Sequence, residues 1–182
     1  DPKEFIKTDN HYGKANVDFI VSKKKIKNYF REEGVWVCPG FIASNQKNEP
    51  TTLGRGGSDY TAAIIAAALR SERLEIWTDV SGMMTANPRL VRSAYPIKQI
   101  SYDEAMELSH FGAKVIYPPT IQPTLEANIP IHIKNTFQKE DDGTIFSHSS
   151  NGSQQLIKGL SCIQNIAFFN LSGSGMVGIP NF

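Results

Sequence analysis

The sequence predicts an α/β protein with a mainly parallel sheet. Three observations predict this class. Strand-like and helix-like segments alternate along residues 17–136, loops with Gly or Pro separate them, and the composition is that of a globular protein. Of the 182 residues, 40% are hydrophobic and 20% are charged, which is ordinary for such a fold. The length suits one medium domain, or one domain with part of another.

The first half of the chain predicts two helices with a strand between them. Residues 17–33 place apolar side chains near a helical period, and Gly34 is expected to end this helix. Residues 35–44, VWVCPGFIAS, predict a buried strand. The polar, glycine-rich segment 45–57 follows, after which Ser58 is expected to cap the helix DYTAAIIAAALRSE.

A second strand and a third helix come next. Residues 74–80, LEIWTDV, predict the strand, and SGMMTANPRL after it predicts a loop. Ser101 and Glu104 have the spacing of a capping box that opens the helix SYDEAMELSHFG. Gly112 is expected to end that helix.

The remaining elements complete the alternation. Residues 113–118 predict a short helical stretch, and residues 120–128 predict a helix with Pro123 in its first turn. Residues 129–136, IPIHIKNT, alternate apolar and polar side chains as a strand does.

A polar segment then marks a domain boundary. Residues 137–155 are rich in Ser, Gly and Asp, so we divide the chain into residues 1–148 and residues 149–182. The second part contains apolar runs such as IAFFNL, which would expose an unpaired strand edge. We therefore expect residues 156–182 to be poorly packed, or ordered only through a neighbouring chain.

Charge and hydropathy exclude several classes of function. The chain has 19 Lys and Arg against 18 Asp and Glu, a net charge of +1 that predicts neither nucleic acid nor an anionic membrane as partner. No apolar run approaches the ~20 residues of a membrane span. The polar start is no signal peptide, and the lack of an initiator Met suggests a piece of a longer protein. We expect a cytoplasmic protein.

The two cysteines predict no special chemistry. Cys38 and Cys162 lie among apolar neighbours and are expected to be reduced, buried thiols, although the sequence leaves a disulfide open. No Cys/His cluster has the spacing of metal ligands, so no protein metal site is predicted.

The most informative segment is TTLGRGGSDYTAA, residues 51–63. Its three glycines allow positive φ and close approach to a ligand, and the helix that follows directs free N–H groups and a positive dipole end at that ligand. Arg55 can pair with a carboxylate or phosphate, and Asp59 can orient a reacting group or a metal. The alternative is a tight turn before a capped helix, and these residues alone leave both open. No Gly-Lys-Ser/Thr ends the loop, so it is not a P-loop.

Two further segments carry candidate residues. Thr78 and Asp79 end a strand before a glycine loop, where open α/β sheets bind ligands; the alternative for Asp79 is a turn-forming side chain. Arg89 is either a ligand contact or part of a surface ion pair. Lys114, in FGAKVIYP, is either a phosphate contact or a solvated lysine. The methionines are expected to pack rather than to ligate (Met83, Met84 and Met106).

In order and spacing, these segments resemble the aspartate kinases of the amino-acid kinase family. The likeness rests on TTLGRGGSD, EIWTDVSG followed by NPR, SYDEAMELSHFGAKVIYPPTIQP and IPIHIKNT. It is especially close to the bifunctional aspartate kinase–homoserine dehydrogenases. IKGLS and NIAFFNLSGSGMVG are similar to the opening of an ACT regulatory domain. The resemblance implies the ATP-binding half of a three-layer α/β/α kinase domain (1–148) followed by the start of an α+β ACT domain (149–182).

The family reaction moves the γ-phosphoryl group of Mg-ATP to the β-carboxylate of L-aspartate, so the resemblance implies ATP, Mg²⁺ and L-aspartate as ligands. It assigns substrate binding to Arg55, which would hold the α-carboxylate, and to Gly56 and Ser58. It assigns catalysis to Asp59 and Lys114. The implied ATP contacts are Thr78, Asp79, Met84, Arg89, Lys114 and Val115. The family often has Tyr where this chain has Met84, which leaves stacking there open.

Other features of the family are absent from these 182 residues. They lack the Lys-Phe-Gly-Gly motif and the acidic residue that holds the amino group of aspartate. We therefore expect the isolated chain to lack useful kinase activity. The alternative is an inactive nucleotide-binding or regulatory segment. An ACT region implies a homo-oligomer, and the sequence leaves open whether lysine or threonine is the effector. We also expect residues 51–60 and 78–89 to meet at one sheet edge, with Arg55, Asp79 and Lys114 close together.

Overall fold

The computed structural model describes residues 1–110, 112, 115–148 and 157–167. Its helices are α1 (Pro2–Phe5), α2 (Phe19–Tyr29), α3 (Gly57–Leu69), α4 (Tyr102–His110) and α5 (Pro118–Glu126). Its strands are β1 (Lys7–Thr8), β2 (Ile42–Asn45), β3 (Pro50–Thr52), β4 (Leu74–Thr78), β5 (Gln99–Ser101), β6 (Ile131–Asn135) and β7 (Thr144–Ser147). Within these residues, no helix has the length and apolar character needed to cross a membrane.

The strands form two sheets. In the three-stranded sheet, ordered β1-β2-β3, the first pair is parallel and the second antiparallel. In the four-stranded sheet, ordered β4-β6-β7-β5, β4 and β6 are parallel, β6 and β7 antiparallel, and β5 and β7 parallel.

The α/β class is confirmed, and three of the five pairings between described strands are parallel, but the strands form two sheets rather than one. The other two pairings are antiparallel. Only residues 46–49 join β2 to β3, and only residues 136–143 join β6 to β7. A parallel neighbour needs a crossover of about a dozen residues or more, so connections this short return the strand antiparallel. Strand β7 also lies inside the polar segment that we interpreted as a domain boundary.

Helix α3 lies between two hydrophobic cores. One face contributes Ala63 and Ala66 to the core of the four-stranded sheet, together with Ile100, Ile131, Ile133 and Phe146. The other face contributes Ile64 and Ala68 to a second core that also contains Phe5, Ile6, Ile26, Ala43 and Leu53. Small alanine side chains allow close packing on both sides. The two cores together therefore set the position of residues 54–57, the glycine loop, at the start of α3.

The buried strand predicted for residues 35–44 is largely wrong. Val35 and Val37 are each 97% exposed, and the strand begins only at Ile42. Trp36 instead packs edge-on against Phe30. An apolar run becomes a buried strand only where a partner strand covers it, and local sequence carries no information about that partner.

Helix boundaries were predicted unevenly. The capping box of Ser101 and Glu104 at the start of α4 is confirmed by hydrogen bonds in both directions. The cap predicted for Ser58 is wrong, because α3 already begins at Gly57 and no side chain caps it. Pro123 lies inside α5 rather than in its first turn, where Pro118 starts the helix.

Both cysteines are free thiols. Cys38 is half-buried, but Cys162 is exposed, so the prediction that both are buried is wrong for Cys162. Cys162 lies in a segment that packs only partly on the rest of the chain, and its apolar neighbours therefore do not bury it.

The predicted ACT segment falls mostly outside the described residues, which leave out 149–156 and 168–182. Residues 157–167 contain no strand or helix, and Ile157, Leu160 and Ile166 are exposed. This segment is nevertheless attached to the first part of the chain: the Leu160 N–H donates to the Thr85 carbonyl at 2.8 Å. The division at residue 148 stays a prediction.

Candidate functional site

The glycine loop has the backbone that its sequence predicts. Gly54 and Gly56 have φ of 73° and 66°, in the left-handed region that favours glycine. A Cβ on Gly56 would lie 2.7 Å from the Tyr117 side chain, and one on Gly57 would lie 2.8 Å from the Phe41 ring. No side chain fits at either position. Glycine is therefore required here both by conformation and by packing.

The loop delivers free donors to the start of α3. The Gly57 N–H donates to the Gly54 carbonyl, and the Tyr60 N–H donates to the Gly56 carbonyl. Between them, the N–H groups of Ser58 and Asp59 have no acceptor among the residues that the structure describes. Free amides at the positive end of a helix dipole attract anions.

The charged side chains of this loop are also unpaired. Arg55 is exposed and makes no ion pair within the described part of the chain. Asp59 is half-buried, and burial raises the pKa of its carboxyl group. No hydrogen bond from another described residue offsets that burial. A half-buried carboxylate without a partner is unfavourable for stability and typical of a ligand site.

The loop after β4 carries the second group of candidates. The Thr78 hydroxyl donates to Asp79 Oδ1 at 3.1 Å, and the exposed Asp79 carboxylate extends beyond the strand. Arg89 is exposed, and its N–H donates to Asn87 Oδ1 at 3.0 Å in a local turn. Met84 is half-buried and forms an isolated antiparallel bridge with Pro96.

The same loop is anchored to the hairpin of β6 and β7 by polar contacts. The Ser81 hydroxyl donates to Asp141 Oδ2 at 2.5 Å and accepts from Asn135 Nδ2 at 2.9 Å. The Met83 N–H donates to the Thr144 hydroxyl at 2.8 Å. Thr144 is fully buried, so its contact with Met83 is shielded from water. The two contacts of Ser81 are partly buried.

The structure brings only some candidates together. No hydrogen bond or ion pair between described residues joins Arg55 or Asp59 to Asp79 or Arg89, so their predicted meeting stays a prediction. Lys114 lies outside the described residues. Val115 packs partly buried against the core of the four-stranded sheet. Tyr117 lies against Gly56, so the start of α5 reaches the glycine loop.

A family model described as the amino acid kinase family matches residues 2–135. The chain belongs to the amino acid kinase family. The match ends at Asn135, the last residue of β6, so it includes the glycine loop and the loop after β4.

Similar curated proteins are aspartokinases. The chain is 42% identical over 170 residues to the chloroplastic bifunctional aspartokinase/homoserine dehydrogenase 1 of Arabidopsis thaliana, covering 90% of the chain and 19% of that protein. It is 35% identical over 185 residues to lysine-sensitive aspartokinase 3 of Escherichia coli, covering 100% of the chain and 41% of that protein. This amino acid kinase chain therefore spans between a fifth and two fifths of these relatives.

Solved structures give the same likeness. Aspartokinase III of E. coli in complex with aspartate and ADP aligns with a TM-score of 0.76 and 37% identity, covering 82% of this chain and 34% of that one. Aspartate kinase of Clostridium acetobutylicum aligns with a TM-score of 0.80 and 37% identity, covering 88% of this chain and 37% of that one.

Sequence reasoning missed the anchor of the loop after β4. Asn135 ends the alternation of IPIHIKNT with a polar residue at a position that the pattern assigns to the core. That break in the apolar pattern is the one signal for Asn135. Asp141 and Thr144 carry no such signal, because they lie in a segment that reads as a polar linker.

Proposed function

We propose that this chain is the nucleotide- and aspartate-handling part of an aspartate kinase. The proposed reaction is ATP-dependent phosphorylation of the β-carboxylate of L-aspartate. The observation that carries the proposal is the unpaired Arg55 and Asp59 at the glycine-loop start of α3. The aligned E. coli structure, which contains aspartate and ADP, supports the choice of ligands.

The glycine loop is assigned to the amino-acid substrate. The Arg55 guanidinium pairs with the α-carboxylate of aspartate, and a bidentate pair also fixes its orientation. Gly56 allows the substrate to approach the backbone, and the free Ser58 N–H donates to a substrate oxygen. Asp59 orients the groups at the reaction centre. Its half-buried, unpaired state in this structure is the cost of that role.

The loop after β4 is assigned to ATP. Thr78 and Asp79 contact the nucleoside part, beyond the carboxyl end of a strand that is parallel to its neighbour. Met84 and Val115 pack near the nucleotide. Arg89 and Lys114 lie on the phosphates, where their charge offsets the negative charge of the transferred group.

In the proposed step, a β-carboxylate oxygen of aspartate attacks the γ-phosphorus of ATP. The bond from the γ-phosphorus to the oxygen that bridges to the β-phosphate breaks, and ADP leaves. Such transfer requires mainly positioning and electrostatic stabilisation. Arg55 and Asp59 would position the acceptor, and Arg89 and Lys114 would stabilise the donor.

The reaction class implies Mg²⁺, but a binding cage built from this chain does not fit the described residues. They contain no group of three His, Cys, Asp or Glu that could hold a metal ion. Mg²⁺ commonly binds through substrate phosphates and water with only one or two carboxylates. We therefore assign the ion to ATP itself and give it no ligand here.

Assembly and location are part of the same proposal. A homo-oligomer formed through an ACT region after residue 148 would suit an enzyme under feedback control. One aligned E. coli structure is a complex with lysine and aspartate, which makes lysine the first effector to test. The cytoplasmic location stays a prediction, since some relatives are chloroplastic.

The test is to express the protein as it is encoded and to assay it with ATP, Mg²⁺ and L-aspartate. Hydroxylamine traps the acyl phosphate as a hydroxamate, which forms a coloured complex with ferric ion. L-Glutamate and D-aspartate serve as control substrates. We expect hydroxamate with L-aspartate and at most background with the controls. ATP binding without hydroxamate would instead favour the inactive nucleotide-binding or regulatory segment.

A further inference from the structure

We propose that Ser81, Asn135 and Asp141 are positioning residues that hold the loop after β4 in its nucleotide-binding conformation. This inference rests on the proposed function, because it assigns the geometry of that ATP site to residues outside it. None of the three is one of the proposed ATP contacts.

The side chains of Asn135, Ser81 and Asp141 form a chain of hydrogen bonds, which we call the relay. The Asn135 amide donates to Ser81 Oγ at 2.9 Å, which leaves the single Ser81 hydroxyl proton to donate to Asp141 Oδ2 at 2.5 Å. Gln138 Oε1, 3.1 Å from Ser81 Oγ, is the more distant acceptor. The Asn135 side-chain oxygen Oδ1 accepts from the Phe137 N–H at 2.9 Å. Hydrogen bonds in such a chain polarise and strengthen one another.

The relay sits where it can act on the loop. Thr78, the last residue of β4, is in register with Asn135, the last residue of the parallel strand β6. Ligands of open α/β sheets bind beyond these carboxyl ends. Ser81 lies three residues after Thr78, so the relay holds the loop just beyond the predicted contacts Thr78 and Asp79.

The loop that is held in this way presents free backbone donors. The N–H groups of Asp79, Val80 and Ser81 have no acceptor anywhere in the described part of the chain. The hydrogen bonds of the Ser81 and Asn135 side chains go to members of the relay, to Phe137 and to Gln138. The amides therefore remain available to a nucleotide, at positions that the relay determines.

A second contact supports the same geometry one residue further on. Gly82 has φ of 113°, and a Cβ there would overlap the Thr144 hydroxyl and lie 2.8 Å from the Thr144 nitrogen. The loop is therefore pressed against β7 at Gly82 and bonded to it at Met83. Since this contact is independent of Asp141, loss of the relay should displace the loop without unfolding it.

The test compares Asp141→Ala with Asp142→Ala in the protein as encoded. Asp142 is the adjacent residue, 85% exposed, and its carboxylate lies 3.9 Å from Lys98 Nζ outside the relay. A lost hydrogen bond to a charged group is worth about tenfold or more in affinity. We expect Asp141→Ala to raise the KM for ATP and the Kd for ADP about tenfold, with the KM for aspartate within about twofold. Asp142→Ala should match wild type.

Two further measurements separate positioning from stability and from the proposed function. Asp141→Asn keeps an acceptor oxygen and should restore the KM for ATP to within about twofold of wild type. Amide hydrogen exchange of residues 79–83 should speed up in Asp141→Ala and not in Asp142→Ala. If the wild type forms no hydroxamate, the proposed function fails. Amide hydrogen exchange and ADP binding then still test whether the relay positions the loop. Unchanged ADP affinity with unchanged exchange in Asp141→Ala overturns it.

Discussion

Ser101 and Glu104 exchange hydrogen bonds at the start of α4: the Ser101 N–H donates to Glu104 Oε2 at 2.8 Å, and the Glu104 N–H donates to Ser101 Oγ at 3.2 Å. Glu104 Oε1 also lies 2.8 Å from Lys158 Nζ. One carboxylate therefore caps a helix and ties residues 157–167 to the kinase-like part. Lys158, only 13% exposed, gives up most of its contact with water for this pair.

Glu104→Ala should lower the free energy of unfolding by about 1 kcal/mol, because both the cap and the ion pair are lost. Chemical denaturation measures this value. Glu107→Ala is the matched control, since Glu107 is exposed on the same helix and should change stability by less than about 0.5 kcal/mol. Equal effects of the two substitutions would contradict the assigned role.

The pH dependence of stability follows from the same carboxylate. Burial raises the pKa of Glu104, but hydrogen bonds from Lys158 and Ser101 outweigh it, so the pKa lies below its ordinary value of 4.5. The contribution to stability is therefore present above about pH 4.5 and is lost as the pH falls through the lower, folded value. Denaturation curves between roughly pH 6 and pH 3 should show a steeper loss for wild type than for Glu104→Gln.

Sequence predicted this helix start because all its determinants are local. The residue types and the spacing of Ser101 and Glu104 specify the hydrogen bonds whatever the rest of the chain does. Residues 35–37 show the opposite case. Their apolar run is typical of a buried strand, yet Val35 and Val37 are exposed because burial depends on a partner that local sequence does not specify.

Gly82→Ala should weaken ATP binding and destabilise the fold. The positive φ alone costs of order 1 to 3 kcal/mol for a residue with a side chain, and the new methyl group would overlap Thr144. Gly13→Ala is the matched control, because nothing lies within 4 Å of a Cβ at Gly13. Thermal unfolding and the KM for ATP measure both effects. A Gly82→Ala protein with wild-type values would show that the loop tolerates another conformation.

Arg55→Ala should raise the KM for aspartate by about ten- to a hundredfold, because a charged hydrogen bond contributes about 1.5 to 3 kcal/mol. The KM for ATP should change little. Arg55→Lys should recover the activity only in part, since a lysine cannot form a bidentate pair. Arg31→Ala provides the control, because Arg31 is exposed and its guanidinium donates to Asn28 at 2.7 Å, with no other partner among the described residues. An equal rise in both KM values would contradict the assignment.

The candidate site was predictable where a residue type carries its own chemistry. Arg55 and Asp59 follow from a glycine loop that opens a helix, and the structure shows that loop. Asn135 and Asp141 were missed because they act through Ser81, and only the pairing of β6 with β4 and β7 brings them to it. That pairing joins residues more than 50 positions apart, beyond the reach of any local pattern.

Asp59→Asn should abolish most of the activity without destabilising the protein. Loss of an oriented polar group at a reaction centre commonly reduces kcat by about a hundred- to a thousandfold.

Burial raises the pKa of Asp59 above its ordinary value of 3.8. The folded protein therefore binds a proton more tightly than the unfolded chain. Stability falls as the pH rises from the unfolded pKa of 3.8 through the higher pKa of the folded protein. At neutral pH the ionised carboxylate destabilises the fold, so the neutral amide should leave the free energy of unfolding unchanged or higher. Asp103→Asn, at an exposed position in the first turn of α4, is the control and should keep wild-type kcat. A stable Asp59→Asn protein with wild-type kcat would remove Asp59 from the proposed mechanism, whereas a destabilised one would show that its carboxylate holds the fold.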